Sequence, residues 1–220
     1  MAGPKKKKKP AAKKKPAPKG KAKTKAKTKA KTKKKPASKT KKAKPTAILP
    51  TAAEEARFWS LIEDAWAAQS PAINATRLAL AKREPGGDDD AGGEIEEALD
   101  GVEEGLRAVF ENEDFPKDEL VAMDRVLERK LYEIDRADIQ AVTDGSDDGF
   151  LYARGFIVAL GKAFFDAVRA NPAMALCDAE CESMCYLPAH IHEERFGDFP
   201  DTGSGISRET ASNGEGWADS

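Results

Sequence analysis

Charge segregation decides which part of this chain can fold. The first fifty residues hold 22 lysines and no acidic side chain, whereas the remaining 170 hold 15 Lys and Arg against all 38 Asp and Glu. The formal net charge of −1 therefore averages a segment at +22 and a remainder at −23. A stretch of Lys, Ala, Pro and Thr has little apolar surface to bury and repels itself, so residues 1–50 are expected to be disordered when free. About 150–170 residues are left to build a core, the size of one ordinary domain.

Within the basic arm, KAKT runs three times from Lys21 to Thr32 between Pro-flanked lysine clusters. Lysines are point charges on flexible stems that can neutralise phosphates and release counterions without reading bases. The residues expected to bind nucleic acid are Lys5, Lys6, Lys7, Lys8, Lys9, Lys13, Lys14, Lys15, Lys33, Lys34, Lys35, Lys41 and Lys42. With no arginine or aromatic residue interleaved, the arm has neither bidentate guanine contacts nor base stacking at its disposal. DNA, RNA or another polyanion is its expected partner. The same composition also suits a solubilising arm or, in a cell with a nucleus, an import signal at PKKKKKP.

Beyond the arm the apolar spacing is helical throughout, and the expected fold class is all-α: one domain over residues 53–197 with about five or six helices. Phe58, Ile62 and Trp66 mark a first helix over Glu54–Gln69. Ser70 and Pro71 open a second, reaching Lys82. A flexible insertion follows at residues 84–93. Ile95, Leu99, Val102, Leu106 and Phe110 carry a third helix. Pro116 opens a fourth, through Leu120, Met123, Leu127, Leu131 and Ile134, with continuation or a kink near Asp138. Phe150–Ala170 is the most hydrophobic stretch and the expected central helix; a last helix is expected over Asp178–Phe196. Residues 198–220, rich in Gly, Ser and Thr, are expected to be an unstructured tail.

No run approaches the roughly 18–20 apolar residues that span a bilayer, and MAGPKKKKK lacks the apolar stretch of a secretory signal. No membrane contact is expected. The expected compartment is the cytoplasm, on the nucleoid in a bacterium. Cys177, Cys181 and Cys185, an odd number spaced by four, make a poor disulfide framework. On a helix they form one stripe, but without the C-x2-C spacing of zinc sites, so no metal is expected. DGSDDG imitates the start of a calcium loop at Asp144, Ser146 and Asp148, yet its twelfth position is Gly155 rather than glutamate. The better reading is that Ser146 or Asp147 caps the central helix. Arg154 is expected to pair with Asp147 or Asp148. No nucleophile elbow, P-loop, HExxH or dinucleotide fingerprint occurs, so no catalytic residue or cofactor is nominated.

Ser146, Asp147, Asp148, Gly149, Phe150, Arg154 and Gly155 form an SDDGF-x-x-x-RG motif. Together with the FW-x-x-I of Phe58, Trp59 and Ile62 and the E-C-E of Glu180–Glu182, it resembles an uncharacterised bacterial family, domain of unknown function 4240. The likeness covers about Glu54–Phe196 and departs at Ala137–Gly145, which lacks the family's aromatic residues. It implies a helical domain of no established activity; some relatives carry a WGR module, linked to nucleic-acid proteins. The lysine composition in turn resembles the arms of linker histones. The expected function is association with nucleic acid through residues 1–50. The rival expectation is a regulatory, immunity-type interaction module whose acidic surface meets a basic protein.

Overall fold

The computed structural model describes residues 47–86, 92–143 and 145–218; every arm lysine lies outside them, and of the arm only residues 47–50 are included. Among the described residues eight α-helices and no strand occur: α1 Ala52–Ala67, α2 Pro71–Leu80, α3 Gly92–Glu111, α4 Lys117–Glu133, α5 Ala137–Thr143, α6 Asp147–Ala159, α7 Lys162–Ala170 and α8 Leu187–Phe196. The all-α expectation holds, with more helices than expected because two long stretches divide.

Helix α1 starts two residues before the expected Glu54 because Thr51 and Glu54 form a reciprocal cap. The Thr51 amide donates to Glu54 Oε2 (2.6 Å) and the Glu54 amide to Thr51 Oγ1 (3.2 Å). Its Phe58, Ile62 and Trp66 are buried, as the four-residue spacing requires. Helix α2 begins on the Ser70 cap with Pro71 in its first turn. Around them α3, α4 and α6 close one core, with Ile95, Val102, Leu120, Leu127, Leu131, Phe150 and Val158 all inaccessible to solvent.

The expected central helix Phe150–Ala170 is two helices. Gly161, at φ +86°, separates α6 from α7. The helix stops there because side chains from elsewhere take its last carbonyls: Trp66 Nε1 donates to Ala159 O (2.7 Å) and Arg77 Nη1 to Leu160 O (3.0 Å). A Cβ at residue 161 would lie 2.5 Å from Glu63 Oε1 and 2.7 Å from Arg77 Nη1. Arg77 itself is buried, pairs with Glu63 at 2.7 Å and stacks on Trp66 at 5.1 Å.

The expected helix Asp178–Phe196 is also corrected. Only Leu187–Phe196 is α-helical; before it the chain makes short 3₁₀ turns at Pro172–Met174 and Ser183–Cys185, and Asp178 has φ +56°. Pro188 sits in the first turn of α8, where its missing N–H is harmless.

The third correction is the tail. Residues 198–218 have no regular structure, yet they lie along α4, α6 and α8 as a strap with Thr202, Ser204 and Arg208 buried. At its near end, Ile48 N donates to Gly203 O at 2.9 Å. The strap reads as a polar tail because its polar side chains meet polar groups of the domain rather than water.

Candidate functional site

The SDDGF motif opens α6. Ser146 is the N-cap, its Oγ accepting from the Gly149 amide at 3.2 Å, as expected of a short polar residue before a helix. Asp147 and Asp148 follow in the first turn, exposed, where negative charge complements the helix end. Phe150 is fully buried, edge-on to Trp217 at 6.1 Å. Gly155 is where α6 touches the 181–185 segment: a Cβ there would lie 2.3 Å from Cys181 O and 2.7 Å from Cys185 Sγ. Its role is close approach of two backbones.

Arg154 has 0 % exposure, and the expected pairing with Asp147 or Asp148 is replaced by another set of partners. Nη1 donates to Leu131 O (3.0 Å), and Nη2 to Arg208 O (3.0 Å) and Thr210 Oγ1 (3.2 Å); the guanidinium lies 4.9 Å over the Phe150 ring. The side chain reaches the end of α4 and the strap, both distant in sequence, which is why spacing along α6 does not reveal its partners. Burial lowers its pKa, and the nearby Asp135 carboxylate opposes that shift. The motif therefore cross-links α4, α6 and the strap.

Beneath the strap lies a line of charged groups on α4 and just past its end. Asp124 is 1 % exposed and Asp135 0 %, yet each of their carboxylate oxygens accepts a hydrogen bond. Arg208 Nη2 reaches Asp124 Oδ1 and Oδ2 at 3.1 and 3.0 Å and Glu128 Oε1 at 2.9 Å. Burial pushes the Asp124 carboxyl up, with Arg208 pulling it back down. Arg208 is raised: burial works against its charge, and the Asp124 and Glu128 carboxylates outweigh it. Asp135 takes the amides of Ala211 (3.0 Å) and Asn213 (2.8 Å), the Ser212 hydroxyl (3.1 Å) and Trp217 Nε1 (3.0 Å). None of these residues was nominated from the sequence. The one available signal was Asp124, four residues after Leu120 and three before Leu127, inside the apolar stripe.

The cysteines do not share a helical face. Cys177 is exposed, and Cys181 and Cys185 are buried. Cys181 Sγ donates to Glu103 Oε1 (3.0 Å), which the Ser183 hydroxyl also contacts, and Cys185 Sγ donates to Leu151 O (3.3 Å). Among the described residues no group of three His, Cys, Asp or Glu is arranged to hold a metal. His190 is exposed between Tyr186 and Phe199, whereas His192 is buried with Nδ1 2.6 Å from Asp198 O. Among the described residues no helix is long and apolar enough to cross a membrane.

Compared with known proteins, residues 54–194 match the family described as "Protein of unknown function (DUF4240)". No curated protein and no solved structure matches the chain.

Proposed function

This chain belongs to the DUF4240 family, and from that premise we propose that it associates with nucleic acid through its lysine-rich arm, the helical domain being the body that the arm tethers. The observation that carries this reading is the 22 lysines without one carboxylate in residues 1–50. So dense a run of positive charge gains affinity for a phosphate backbone by releasing condensed counterions, and it needs no fixed geometry to do so. The absence of Arg and aromatic residues from the arm favours binding without sequence preference. Cytoplasmic or nucleoid residence follows from the same reading. The test is retention of the full chain on an immobilised duplex, beside a chain whose arm lysines are all glutamine. Loss of retention in the variant supports the proposal; undiminished retention sinks it.

A second reading, capture of a basic protein, is favoured by one surface. Helix α3 exposes Glu94, Glu96, Glu97, Asp100 and Glu104 on the side away from the core. That acidic face attracts a cationic partner at long range and is screened by salt. Capture that persists after nuclease treatment, and in the glutamine variant, would favour this reading over the first.

A further inference from the structure

The groove under the strap has the form of a ligand site. Its walls come from α4 and from the turn before α8, all within the span that matches the family, whereas Arg208, which fills it, lies beyond that span. Asp124 and Glu128 stand four residues apart on one face of α4 and present their carboxylates to the same point. Opposite them, Cys185 O accepts from Arg208 Nη1 at 2.7 Å, and the Tyr186 ring lies 5.0 Å from the guanidinium carbon. Two carboxylates at one end, a carbonyl at the other and an aromatic face above match a planar, two-ended cation. An ammonium has a single centre and cannot meet both ends at once.

The groove also holds the strap on either side of that slot, by side-chain hydroxyls before it and by backbone groups after it. Before Arg208, Glu128 Oε2 accepts from the hydroxyls of Thr202 (2.6 Å) and Ser204 (2.7 Å). At Arg208 and beyond, Arg154 donates to Arg208 O, and Asp135 gathers two strap amides. The domain thus supplies a row of donors and acceptors to a segment with no regular structure of its own. We propose that this groove is a recognition site for an arginine side chain carried on an extended peptide, and that this chain fills it in cis with Arg208. This inference is independent of the arm. The site takes the same chemistry from another polypeptide whenever the strap is displaced, and the tether keeps the cis copy at an effective concentration near millimolar.

The test uses the full chain with Arg208→Ala and follows its thermal midpoint during titration with methylguanidinium, with methylammonium at equal ionic strength as control. The variant is expected to melt below the parent and to recover saturably with methylguanidinium. That binding should be roughly tenfold tighter than methylammonium's, the ratio that one further hydrogen bond to a charged group supplies. An acetylated and amidated peptide of residues 204–210 should raise the midpoint of the variant too, and the same peptide with Arg208→Lys should not. If Arg208→Ala is unfolded alone, the same titrations read recovery of helical circular dichroism. Equal responses to the two cations, equal responses to the two peptides, or an equal shift in the parent chain would overturn the proposal.

Discussion

Arg154 shows how far a single side chain can sit from the role its neighbours in sequence suggest. It satisfies Leu131 O at the end of α4 and Arg208 O in the strap, two acceptors that a smaller residue would leave bare in the interior. Arg154→Ala is therefore expected to cost about 3 kcal/mol or more, since each stranded buried acceptor costs roughly 1–3 kcal/mol. Arg154→Lys should not restore the loss, because one ammonium cannot span both carbonyls; urea unfolding of both variants checks this. The cysteines give a pH test. Burial pushes the Cys185 thiol from 9.0 up to about 12 and raises Cys181 in the same direction. A folded-state pKa above the unfolded value means the folded chain keeps its protons longer. The contribution is complete below pH 9 and is lost between there and about pH 12, so the urea midpoint should fall across that window. In the native chain Ellman's reagent should titrate Cys177 rapidly, and Cys181 and Cys185 only upon unfolding.

The elements are joined by groups that finish each other's helix ends. Leu131 O, left over at the end of α4, is taken by Arg154; Tyr132 O, already bonded to the Asp135 amide, also accepts from Asn213 Nδ2 (3.1 Å), and Ala137 N at the start of α5 donates to Gly216 O (3.1 Å). The strap is thus the cap of the α4–α5 corner, with Asp135 as its anchor. Asp135→Ala removes an acceptor from four donors and is expected to release residues 209–217. Faster tryptic cleavage after Arg208 and a red shift in Trp217 emission would report it; unchanged proteolysis would show that the anchor lies elsewhere. Close packing sets a second limit at Gly155. Gly155→Ala places a methyl group against Cys181 O and is expected to cost about 1–3 kcal/mol by overpacking. Gly149→Ala, facing the movable Glu180 carboxylate, should cost less, and chemical denaturation of the two variants tests the contrast.

Taken whole, the chain joins a +22 arm to a −23 remainder. If about ten lysines contact phosphates, affinity for duplex DNA should fall with a log–log salt slope near −9, since each contact contributes about −0.9. Titration of two unrelated duplexes over a range of salt checks both the slope and the lack of preference; a flat dependence would exclude binding by the arm. What could be read from sequence were the properties that depend on near neighbours. The helical class and the buried faces of α1, α3 and α4 follow from spacings of three or four residues, and the Ser70 cap and a cap at Ser146 or Asp147 from short polar residues before a helix. What needed the tertiary structure were the properties set by groups far apart in the chain. Gly161 ends a helix because Trp66 and Arg77 reach its carbonyls across 93 and 83 residues, and Arg154 faces α4 and the strap rather than Asp147. The strap is the clearest case. Its composition is that of a loop in water, and only the acceptors of α4 and of Asp135 just past it, placed by folding, make it part of the domain.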